Sequence, residues 1–155
     1  MNSKTITYVT AILLLLTLSA CSKNVTTEDY TEEQLRELII GSWSCHPSDY
    51  LCDTYNLDHG TEITLEVKND HSLNIKNLPV VLRWDPVMVN GNGSWRLEEG
   101  IYRKMWELRL SPKQINLNFP INVKEKKNSI YLDYVINPDY SSEFVFQKSK
   151  GFPLT

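Results

Sequence analysis

The strongest constraint on this fold is a run of strict alternation: Ile115, Leu117, Phe119, Ile121 and Val123 are separated by Asn116, Asn118, Pro120 and Asn122. Successive side chains of an extended strand point to opposite faces, so this spacing makes one apolar face and one wet face, which a 3.6-residue period cannot do. The period recurs at Ile63, Leu65 and Val67, at Trp106, Leu108 and Leu110, at Ile130, Leu132, Tyr134 and Ile136, and at Phe144 and Phe146. Strands wet on one side belong to antiparallel sheets.

Turn residues punctuate the pattern at Asn69-Asp70, Asn90-Gly91-Asn92-Gly93, Glu99-Gly100, Lys127-Asn128 and Asn137-Pro138-Asp139. Strands are thereby predicted over 42–46, 61–68, 72–77, 79–84, 93–98, 105–111, 115–123, 129–136 and 143–148. Eight or nine strands so spaced predict an all-β domain, an antiparallel up-and-down barrel or an open barrel or sandwich. Pro120 has no N–H to give a ladder and marks an edge or bulge, which favours a partly open barrel. One short N-terminal helix precedes the strands. Thr31 and Gln34 are spaced as a capping box, Glu32 and Glu33 suit the positive end of the helix dipole, Leu35, Leu38 and Ile39 share a face, and Gly41 ends it.

A barrel that spans a membrane also alternates over about ten residues. Here the outward positions carry Glu66, Arg109, Lys124 and Asp133, which lipid would not accept. The predicted barrel therefore stands in water.

Lys4 is the only charged residue before position 21, and an apolar block starts at Ile6. The block is too short for the roughly 20 residues of a spanning helix and reads as a signal peptide, residues 1–20. It closes on Leu18-Ser19-Ala20-Cys21, which resembles the lipobox of bacterial lipoproteins. The resemblance implies cleavage before Cys21, a diacylglycerol thioether on its sulfur and an acylated amine. Two lipid signals already anchor stably, at about 0.8 kcal/mol per buried methylene. Ser22, where an aspartate would resemble an inner-membrane retention signal, points to the periplasmic face of the outer membrane in a bacterium with two membranes. Residues 21–30 then read as the lipidated N-terminus and a tether, and 31–155 as a single β domain.

Loss of Lys4 leaves 15 basic and 19 acidic side chains, a net charge of −4 that disfavours nucleic acid as a partner. With Cys21 carrying lipid, Cys45 and Cys52 remain as a pair, and an oxidising envelope predicts a disulfide contributing about 2–3 kcal/mol. A zinc site with His46 and His59 is the competing use, but six residues separate the cysteines, more than zinc spacings allow.

Gly41-Ser42-Trp43, after a short helix and at the start of the first strand, looks like the opening of lipocalin-type barrels, where the tryptophan plugs the closed end. That resemblance implies a cup for a small apolar ligand. A longer likeness runs from Gly91-x-Gly93-x-Trp95 through Trp106-x-Leu108-x-Leu110 and Ile130-Tyr131-Leu132 to Phe144-x-Phe146. It is similar to a group of small uncharacterised bacterial β-proteins. Ile136 and Asn137 stand where that group carries Gly-Asp before Pro-Asp.

No nucleophile-elbow, Walker, HExxH or dinucleotide pattern occurs, and His46, His59 and His71 share no ligand spacing. No catalytic residue, metal site or cofactor is predicted. Trp84, Trp95, Trp106 and Tyr134 are the candidate ligand-binding residues, with filling of the barrel as the plainer use of the same rings. Charge is segregated: 24–67 holds ten carboxylates against Arg36 alone, and 96–127 holds eight basic groups against four acidic ones. Two such poles suit a charged partner. The expected function is a non-enzymatic envelope lipoprotein whose β domain binds a protein partner, in a protective or immunity-like role. The alternative is a lipocalin-like carrier of a lipid or other small hydrophobic ligand.

Overall fold

The computed structural model describes residues 23–82, 85–100, 104–115, 117–137 and 142–149. Nine strands and two helices follow in the order β1 (Lys23–Asn24), α1 (Glu32–Ile39), β2 (Gly41–Cys45), α2 (Asp49–Tyr55), β3 (Ile63–Val67), β4 (Ser72–Leu82), β5 (Asp85–Glu99), β6 (Trp106–Pro112), β7 (Phe119–Lys126), β8 (Ser129–Asn137) and β9 (Ser142–Lys148). Each strand from β2 to β8 pairs antiparallel with the next in sequence, and β2 pairs with β9, Trp43 opposite Lys148. The result is a closed eight-stranded up-and-down barrel with β1 added against β7.

The partly open barrel that Pro120 suggested is thus corrected. Pro120 pairs with Arg109 on β6, while the ladder between β7 and β8 starts only at Asn122, opposite Asp133. The missing N–H therefore falls where β7 has a neighbour on one side, and closure is completed below it.

Strict alternation also placed one strand too early. Ile115 lies in the β6–β7 connection and Leu117 is 49% exposed, because β7 starts at Phe119. Gln114 fastens this connection to β5, accepting from the Asn90 N–H at 2.7 Å and donating to the Met88 carbonyl at 3.2 Å. The predicted pair 72–77 and 79–84 is one strand with a bulge between Ile75 and Leu78, where Asn77 takes a left-handed φ of 59°. Asn90-Gly91-Asn92-Gly93 sits opposite that bulge inside β5, so its glycines bend the strand and do not reverse it. Lys127 and Asn128, both left-handed, form the two-residue turn expected there.

The capping box of α1 is present: Gln34 N–H donates to Thr31 Oγ1 at 3.3 Å and Thr31 N–H to Gln34 Oε1 at 3.0 Å. Leu35 and Ile39 are buried, whereas Leu38 is exposed. α2 was not predicted. Ser48 caps it, left-handed Asn56 ends it, and Leu51, Cys52 and Tyr55 form its buried face. The two helices cover opposite mouths. Arg36 of α1 reaches the Asn69 carbonyl in the β3–β4 turn, and Tyr55 of α2 packs against Phe144 with ring centroids 5.6 Å apart.

The segment read as a tether is bound to the barrel wall. Lys23 and Asn24 pair with Glu125 and Lys124, Val25 is fully buried, and its N–H and carbonyl bond to Val123 and Trp106. β6 begins only at Trp106, so β1 and Val25 occupy the space beside β7 below it.

Candidate functional site

The barrel interior is occupied by the chain's own side chains. Trp43, Phe144, Phe146, Leu35, Ile39, Leu65 and Leu108 are among those with no exposure, and the buried apolar residues form one cluster. Such filling is what an eight-stranded barrel has room for.

The structure distributes the predicted aromatic site residues. Trp95 is buried and its indole N–H donates to the Lys68 carbonyl at 2.8 Å, tying β5 to the β3–β4 turn. Trp106 is half-buried and donates to the Tyr30 carbonyl at 3.0 Å, which holds the N-terminal segment. Tyr134 packs against Phe119 and Phe144 at 5.5 and 6.3 Å, and burial holds its phenol well above the usual range. Trp84 and the Asn137-Pro138-Asp139 turn beyond Asn137 lie outside the described residues, as does Cys21. Trp43, read as a plug, is fully buried at the α1 end with its N–H on the Ile39 carbonyl at 2.7 Å.

The expected Cys45–Cys52 disulfide is corrected: both thiols are free and buried. Cys45 points inward from the end of β2 and Cys52 from the apolar face of α2, each packed in the core cluster as a small hydrophobe. Burial pushes the Cys45 thiol up to about 11, only partly opposed by the Val145 backbone N–H.

His46 is exposed and His59 bridges Asp49 at 3.1 Å and Asp53 at 3.0 Å through its two ring nitrogens. Asp53 and then Asp49 raise the His59 pKa above its ordinary value. Among the described residues no group of three His, Cys, Asp or Glu side chains converges as metal ligands.

Among the described residues, two of the concavities lie on the barrel surface. The smaller, about 230 Å³, lies where β7 and β8 separate above Asn122, with Val80, Leu117, Phe119, Tyr134 and Val135 around it. The larger, about 700 Å³, lies along the outer face of β7, β8 and β9 and is lined by Lys124, Lys126, Lys127, Tyr131, Gln147 and Lys148, with Glu143 as its carboxylate. Lys124 pairs with Asp133, which is fully buried although it stands between the core residues Leu132 and Tyr134 and so faces away from the core. Burial works against the Lys124 ammonium, but Asp133 outweighs it and the pKa is raised. Lys148 turns under the barrel end to the Leu38 carbonyl at 2.9 Å, over the Trp43 ring, and burial lowers its pKa.

Other basic groups of the 96–127 stretch are neutralised in place. Arg109 contacts Glu107 at 2.8 Å and Glu98 at 3.3 Å, Arg96 pairs with Glu98, and Lys104 lies 3.7 Å from Glu28. Lys126 and Lys127 have no such carboxylate among the described residues. The carboxylates Asp49, Asp53, Asp58 and Glu62 are exposed at the α2 end, beside Tyr50, which is 62% exposed. Sequence reasoning named the two poles but not the β7–β9 wall, which depends on the register of two consecutive hairpins and on which lysines are left without a carboxylate.

Comparison of the chain with protein families, with curated proteins and with solved structures gives no match.

Proposed function

We propose that this protein is a non-enzymatic envelope lipoprotein, anchored through lipid on Cys21, whose β-barrel binds a protein partner on its outer surface. The observation that carries this reading is the division between inside and outside. The interior is packed with Trp43, Phe144, Phe146 and their neighbours, and the charged concavity of about 700 Å³ lies on the outer wall. A partner recognised by charge would meet the acidic α2 end, and such complementarity steers encounter and fixes register. A protective, immunity-like task is one use of a small domain held at a membrane in this way.

A lipocalin-like carrier is the second reading, favoured by the hollow of about 230 Å³ that reaches Phe119 and Tyr134. Loading it would require these rings to move from their packed positions.

Native mass spectrometry of the protein purified from its own envelope separates the two. A co-purifying protein with an empty barrel is expected. A reproducible non-covalent small molecule, with no protein attached, would replace the first reading by the carrier.

A further inference from the structure

We infer that the β7–β9 wall is a membrane-facing surface whose lysines engage anionic phospholipid headgroups beside the anchor; this rests on the lipidation of Cys21.

The first step is the length of the leash. β1 pairs antiparallel with β7, Asn24 opposite Lys124 and Lys23 opposite Glu125, so the chain enters β1 from the side of Lys126 and Lys127. Lys23 is held there by Asp29 at 2.7 Å and Glu125 at 3.3 Å, and Val25 is locked into the core. Cys21 precedes Lys23 by two residues, which span at most about 7 Å. A lipid on Cys21 therefore cannot let the barrel tumble on a free tether. It brings the lower end of β7 to the headgroup layer.

The second step is charge. Lys124 and Lys126 alternate outward along β7, and Lys127 follows in the turn to β8. Lys126 and Lys127 are exposed, and Tyr131 lies beside them on the outer face of β8. Basic side chains at a bilayer surface attract anionic lipid, each by about fivefold in affinity when headgroups lie within a Debye length. Glu32, Glu33 and Glu37 on the exposed face of α1 lie at the same mouth as the β7–β8 turn, so an anionic surface favours the outer face of β7–β9 over the helix at that mouth. An acidic protein could also complement these lysines, but it would have to enter the narrow space left by the anchor. The acidic α2 end, on the opposite mouth, stays open to a protein partner.

The test is lysine acetylation footprinting of the lipidated mature protein in two sets of vesicles, one of phosphatidylcholine alone and one also containing phosphatidylglycerol. Intact mass first reports the acyl groups on Cys21, so failure of the anchor is read separately from failure of the surface. Lys126 and Lys127 are expected to lose severalfold in reactivity only on phosphatidylglycerol vesicles, with recovery at high salt. Lys76 on β4, three strands round the ring from β7, and Lys113 beyond the far end of β6 should label equally on both. Equal labelling of Lys126 and Lys127 on the two vesicle types, with acylated protein bound to each, overturns the inference. So does protection of these lysines by a co-purified acidic protein without vesicles.

Discussion

A Cβ built on Gly93 would stand 2.6 Å from the Ser111 carbonyl oxygen and 2.8 Å from Pro112 Cα on the facing strand β6. The spacing Gly93-x-Trp95 was visible in the chain, but its meaning lies in this approach of two backbones. Gly93→Ala should destabilise by about 1–3 kcal/mol, the usual cost of overpacking, measured by urea unfolding. The thiols give a second residue-scale prediction. With Cys45 held at about 11 and both sulfurs buried, the folded mature protein should show no reaction with a thiol reagent, and two thiols should titrate after denaturation without reductant. A count of none after denaturation would restore the bridge. The aromatic site residues show the reach of sequence at this scale. Alternation shows that Tyr134 faces inward, but neither it nor the Gly93-x-Trp95 spacing can show that the Trp95 N–H is already used by Lys68, a bond between residues 27 apart in sequence.

Among the elements, β1 is held by an ion pair that responds to pH. Lys23 first, then the Thr26 N–H and hydroxyl, hold the Asp29 carboxyl at about 2 against an ordinary 3.8. A depressed folded-state pKa contributes stability that is present above the unfolded value and is lost as pH falls through the folded one. The latch on β1 should therefore weaken between about pH 4 and pH 2. Asp29 in turn raises the Lys23 pKa, so that side of the pair holds below the ordinary 10.5 and fails only as pH rises beyond it. NMR shifts of the Val25 amide should report the acid step, and Asp29→Asn should remove it. Neither β1 nor α2 was legible beforehand. Two residues of strand carry no period, and the seven of α2 show their apolar face, Leu51, Cys52 and Tyr55, only once a core exists to receive it. In the other direction, Ile115 and Leu117 extended the alternation past the true start of β7, because spacing registers apolar positions whether or not a neighbouring strand pairs with them.

At the scale of the whole molecule, the ring closes through partners at opposite ends of the sequence, β2 with β9. The apolar residues of both helices, of Val25 and of every strand from β2 to β9 form one cluster, so no part has a separate core to keep it folded. Unfolding should be a single transition, with tryptophan fluorescence and far-ultraviolet circular dichroism superimposing against denaturant. Two separated transitions would mean that part of the barrel melts alone. Pairing of neighbouring strands sets the electrostatics, since it brings the lysines of β7 beside Tyr131 of β8 and Gln147 of β9, while Arg96 and Arg109 meet Glu98 and Glu107 on β5 and β6.

Alternation with period two, caps and turn residues act over a few neighbours, and they alone specified an antiparallel all-β domain with a capped helix leading into its first strand. Whether the sheet closes, where the two cysteines point, that the N-terminal segment is a strand, and which wall keeps its positive charge were decided only in three dimensions. Each depends on which residues distant in sequence become adjacent, and the energy of a contact is set by that adjacency, not by the local pattern that made either partner available.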